Sequence, residues 1–179
     1  MSLLTANLLV GILVFATGAH FFFGNKKTEE QTKAFPRSPL AAKILMGLAT
    51  VWFVLNLSQL GEADFGNHKT KLMAVFAIGA LLSFVYVPDF LAVRGAAGLI
   101  LLGGAHILDA AYMQWEHPQR LLMVTVTYIA LAKAVYLGAC PYRLRDWIDW
   151  TYAKAVRAKL LGALNLGTGV ALIVTAFTY

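Results

Sequence analysis

Apolar residues gather into six long runs, each parted from the next by charges or turn-forming residues. A bilayer core of about 30 Å takes ~20 apolar residues of helix, so runs of this length predict spans. The first, Leu3 to Phe23, carries no charged side chain and ends at Gly24-Asn25-Lys26-Lys27. No Lys or Arg precedes it, which is not the pattern of a signal peptide. The second, Leu40 to Leu60, opens behind Pro36 and Pro39 and closes at Gly61-Glu62-Ala63-Asp64. Proline suits a helix start because it lacks an N–H that the first turn leaves unpaired anyway. The third, Leu72 to Val87, is short, and Pro88-Asp89 predicts a tight turn into the fourth, Phe90 to Met113. The fifth runs from Leu121 to Ala139 and the sixth from Ala158 to Tyr179. The fold expected is an all-α, six-transmembrane-helix bundle forming a single domain over residues 1–179.

Between the fifth and sixth runs, residues 142–155 show a different period. Leu144, Trp147, Ile148, Tyr152 and Ala155 recur at three- and four-residue spacing, while Arg143, Arg145, Asp146, Asp149 and Lys154 fall largely elsewhere on the wheel. This predicts a short amphipathic helix in the membrane interface, where Trp and Tyr rings are at home. Basic residues then set the orientation. Eleven of the fifteen Lys and Arg follow the first, third and fifth runs or open the next, three lie in the other connections, and Lys133 lies within the fifth run. By the positive-inside rule the eleven mark the cytoplasmic side, so both termini are expected on the non-cytoplasmic side.

Composition narrows the class further. The apolar set makes up 59% of the 179 residues and charged residues 13%, with a mean hydropathy of +0.67, the reverse of a disordered chain. Cys140 is the one cysteine, which excludes an intrachain disulfide and a cysteine-built zinc site. The net charge of +6 is distributed as a topology signal, so no nucleic-acid partner is expected. Lys43, Arg94 and Arg157 each precede a glycine one turn on, but their spacings are unequal and assign no repeat. No phosphate-binding loop, dinucleotide fingerprint, HExxH or GxSxG motif occurs.

Chemistry therefore rests on polar residues at membrane depth, where an ionisable group is costly and usually faces a cavity or a partner. His106 and Asp109 stand at i and i+3 on the fourth run, on one helix face. Together with Asn7, Asn56 and Gln59, all in the outer halves of their runs, they form a candidate polar pocket open to the outside. Lys133, Asn165 and His20 are the polar residues of the inner half. Small residues precede both His20 and His106, an arrangement that lets a flat macrocycle approach. The two lie near opposite faces, so no haem is expected between them, and neither another cofactor nor a metal is expected. Gly98, Gly103, Gly104, Gly162 and Gly169 are read as helix-packing positions. The function expected is that of a non-enzymatic multi-pass membrane protein, a structural or accessory subunit of a membrane assembly or homo-oligomer, partnered by lipid and membrane protein. The alternative is a small transporter or channel built on the pocket around His106 and Asp109.

Overall fold

A computed structural model describes the backbone of residues 1–179 and every side chain except that of Ala63. Eight α-helices account for most of the chain, and no strand occurs among the described residues. Six are long and apolar enough to cross a membrane: α1 (Leu3–Phe22), α3 (Pro39–Ser58), α4 (Lys69–Tyr86), α5 (Leu91–Ala111), α6 (Arg120–Ala139) and α8 (Ala155–Ala176). Two shorter helices, α2 (Lys26–Ala34) and α7 (Tyr142–Tyr152), lie at the end of the molecule that carries most of the basic residues, here the basic end.

Local chemistry explains the boundaries. Ser2 caps α1 by accepting from the Thr5 N–H at 3.2 Å, and Ser38 caps α3 by accepting from the Ala41 N–H at 3.2 Å, with Pro39 in the first turn. The fourth run begins one residue later than expected because Phe90 takes a left-handed conformation, φ 59°, to turn the chain after Pro88-Asp89. That helix also stops at Ala111, two residues early, since Tyr112 is extended and Met113 has φ 60°. The third run gains a turn and starts at Lys69, while the sixth shifts to Ala155–Ala176.

The six long helices form an open row instead of a closed bundle. At one edge α8 packs closely along α1; α1 rests against α5 and α6, which pack on each other; α3 lies outside α5; α4 lies outside α3 at the far edge. Exposure follows this order, with α1 and α5 the most enclosed and α4 contributing no buried residue. Where helices lie in lipid, no hydrophobic drive closes a ring, and association depends on close backbone approach. Glycine supplies it along the α1–α8 seam. A Cβ on Gly18 would lie 2.5 Å from the Leu166 nitrogen, and one on Gly162 or Gly169 would lie 2.6 Å from the nitrogen of Phe22 or Phe15. The core is split accordingly. Leu3, Ala6, Val10, Ala111, Met123 and Leu172 meet at the end away from the basic side, and Ala42, Leu91 and Ala92 meet near it.

Candidate functional site

Away from the basic end, the last turn of α5 and the first turns of α6 enclose a groove of about 450 Å³. Asp109, Tyr112, Arg120 and Tyr128 line it, with Ala105, Leu121 and Val124 below. Arg120 folds back over the end of α5, where its guanidinium donates to the Ala111 carbonyl and lies 4.6 Å from the Trp115 ring centroid. A cation there also complements the negative end of the helix dipole. Asp109 is exposed, and among the described residues its carboxylate makes neither an ion pair nor a hydrogen bond. The mouth of the groove thus carries one fixed guanidinium and one unengaged carboxylate above an apolar wall.

Of the five residues expected to share a pocket, Asp109 lines this groove and the other four do not. His106 and Asp109 share a side of α5 but form no hydrogen bond. The imidazole stacks on Trp52 of α3, ring centroids 5.6 Å apart and planes 12° from parallel. Asn7 faces the opposite way from a pocket: it is fully buried in the α1–α8 seam, and its Nδ2 donates to the Leu172 carbonyl at 2.8 Å and the Thr175 hydroxyl at 3.0 Å. Asn56, in the last turn of α3, and Gln59, just beyond it, are exposed and make no side-chain hydrogen bond among the described residues. In the half of the molecule nearer the basic end, Lys133 is exposed on α6 and Asn165 is half-buried on α8, beside Gly18. His20 lies in the last turn of α1 at the basic end, whereas His106 lies near the far end of α5.

His20 belongs to a cluster that sequence reasoning missed. Its Nε2 is 2.7 Å from the Thr32 hydroxyl of α2, which is 3.4 Å from the Tyr152 hydroxyl of α7, and the Phe21 and Tyr152 rings pack at 5.9 Å. This ties the end of α1 to both surface helices. On α2, the hydrogen bond from Lys33 to Glu29, 2.6 Å long, raises the Lys33 pKa above the ordinary lysine value. The helix has a legible signature in retrospect, since Asn25 caps Thr28 and Glu29 precedes Lys33 by one turn. On α7, Ile148 is buried and Trp147 stacks on Tyr136 of α6 at 5.7 Å.

The packing glycines occupy three seams. Gly162 and Gly169 meet the backbone of α1; a Cβ on Gly104 would lie 2.5 Å from Leu131 of α6; those on Gly98 and Gly103 would reach Ala49 and Trp52 of α3 at 3.3 and 3.7 Å. Sequence reasoning missed Gly95, whose Cβ would lie 2.5 Å from the Met46 nitrogen, and the α1 partner Gly11. The signal for the latter was present: Gly11 and Gly18 have the same seven-residue spacing as Gly162 and Gly169. Comparison of the chain with protein-family models, curated proteins and solved structures gives no match. Among the described residues, no three His, Cys, Asp or Glu side chains converge as metal ligands would.

Proposed function

We propose that the chain is a multi-pass membrane protein that works by packing, as a homo-oligomer or as an accessory subunit of a larger membrane assembly. The observation that carries this reading is the outward face of α8, at one edge of the row. Ala163, Gly167 and Ala171 stand one above another at four-residue spacing, all exposed, and a Cβ on Gly167 would meet nothing within 4 Å. Small residues spaced in this way let a second helix approach closely, the device that α8 already uses toward α1 on its other face. A transport reading has less support, because Asn7 is committed to the α1–α8 seam and the α5–α6 groove is floored by Ala105, Leu121 and Val124.

The test is the mass of the detergent-extracted particle by light scattering, for the native chain and for A163L/G167L. Both positions are open, so the fold tolerates the change while the outward face loses its close approach. A native particle heavier than one chain, reduced to a single chain or stripped of its partner by the double substitution, supports packing. A monomeric native chain that moves an ion or metabolite in proteoliposomes, with flux lost in Asp109→Asn, would defeat it.

A further inference from the structure

Two cavities outside the groove already described lie along one helix seam. At the basic end, the turn that enters α3 faces the turn that joins α4 to α5, and a cavity of about 280 Å³ opens between them. Arg37, Lys43 and Asp89 line its polar side, and Ala42, Phe84 and Leu91 its apolar side. Deeper along the same two helices lies a groove of about 480 Å³, lined by Met46, Ala49 and Phe53 of α3 and by Phe76, Gly79 and Ala80 of α4. The α3 positions 42, 46, 49 and 53 and the α4 positions 84, 80 and 76 recur at three- and four-residue spacing, so each helix turns one face to both spaces. The groove is open partly because a Cβ on Gly79 would meet nothing within 4 Å.

The chemistry of this seam changes along its length. At its mouth the Arg37 guanidinium lies 5.1 Å from the Phe90 ring centroid. Among the described residues the ion pairs are Lys33–Glu29 and Arg145–Asp146, so Arg37 and Lys43 have no carboxylate of their own. A forked guanidinium beside an ammonium suits a phosphate. Asp89, on the same rim, suits a hydrogen-bond donor at the other end of the same ligand. The cavity is smaller than the roughly 300–1,000 Å³ that takes a drug-sized molecule, which fits a headgroup with its tail outside. The groove below is apolar and runs from Met46 to Phe53 of α3, ~10 Å along the helix axis.

We infer that the seam is a phospholipid site, with the headgroup phosphate on Arg37 and Lys43, an ammonium or hydroxyl of the headgroup on Asp89, and an acyl chain along the α3–α4 groove. The inference rests on the membrane reading above. A helix of a second copy fits this place less well, because its apolar side chains would leave two cations set against the one carboxylate of Asp89, where a phosphate supplies the missing negative charge.

Native mass spectrometry of the detergent-purified full chain tests it, with added phosphatidylethanolamine, phosphatidylglycerol or phosphatidylcholine of identical acyl chains, and separately with inorganic phosphate. One ethanolamine or glycerol lipid is expected to remain per chain, at least fivefold more than choline lipid, whose headgroup has no hydrogen-bond donor for Asp89. R37Q/K43Q is expected to lower retention about tenfold, and K26Q/K27Q, with the same charge change on α2, to preserve it. Asp89→Ala, which removes the acceptor, should abolish the preference over choline. Gly79→Leu, whose side chain enters open space, should weaken lipid retention. Equal retention of all three lipids, unchanged in R37Q/K43Q, overturns the site. So does inorganic phosphate binding with Gly79→Leu silent toward lipid, which would leave an anion site only, or a dimer broken by Gly79→Leu in place of lipid adducts. Membrane fractionation separates the two levels: a chain that sediments with membranes yet lacks the lipid preference loses this site alone, and one that does not sediment with membranes loses the wider reading as well.

Discussion

Two asparagines of the same chemical type show how much depends on where a side chain ends up. Asn7 is sealed between α1 and α8 and donates to the Leu172 carbonyl and the Thr175 hydroxyl, whereas Asn56 is exposed on α3 with no side-chain hydrogen bond among the described residues. Interhelical hydrogen bonds of this kind stabilise membrane helices modestly, because the separated helices also find partners. Asn7→Ala is therefore expected to cost ~1 kcal/mol in SDS-titrated unfolding, and Asn56→Ala to stay within error. Equal effects would remove the hydrogen bond as the reason Asn7 is buried. His106 gives the same lesson about partners. Its i, i+3 relation to Asp109 was legible in the sequence, but Trp52 comes from another helix, and nothing in the spacing of residues says which helix lies alongside α5.

At the level of the helix, glycine decides which surfaces become seams. A Cβ on Gly18 would lie 2.5 Å from the Leu166 backbone nitrogen, a contact that rotating a side chain cannot relieve, while one on Gly167 meets nothing. Gly18→Leu must push α1 and α8 apart and is expected to destabilise the chain by about 1–3 kcal/mol or more, as overpacking does. Gly167→Leu is expected to leave unfolding unchanged. A Gly18→Leu protein as stable as the native one would mean that the α1–α8 seam does not require backbone contact. The surface helices depend on a different balance. The amphipathic period predicted α7 over residues 142–155, close to the observed Tyr142–Tyr152. A search for long apolar runs passes over α2, which is held by a cap, an i, i+4 ion pair and the contact of Thr32 with His20 and Tyr152.

For the molecule as a whole, both surface helices and eleven of the fifteen basic residues lie toward the basic end, across the helix axes from one edge of the row to the other. Reporter fusions at Glu30, Pro88 and Asp149 are expected to behave as cytoplasmic, and fusions at Asn67, Pro118 and Tyr179 as external. Reversal at two or more sites would overturn the orientation. The same end carries the cavity between the α3 entrance and the α4–α5 turn, so the lipid assigned to it belongs to the leaflet facing the basic loops.

The number of long helices, their approximate limits and the orientation expected of them follow from the sequence alone, because each depends on properties summed over ~20 residues: apolar length, turn residues and net basic charge. Even the α1–α8 partnership left a trace in the matched spacing of Gly11 and Gly18 with Gly162 and Gly169. The tertiary structure alone decided that the helices lie in an open row, that Asn7 belongs to a seam and not a pocket, and that Arg37, Lys43 and Asp89 from two separate turns share one cavity. Hydropathy is local to each helix, whereas a contact between helices depends on the shape and rotation of two surfaces that the chain brings together only when it folds.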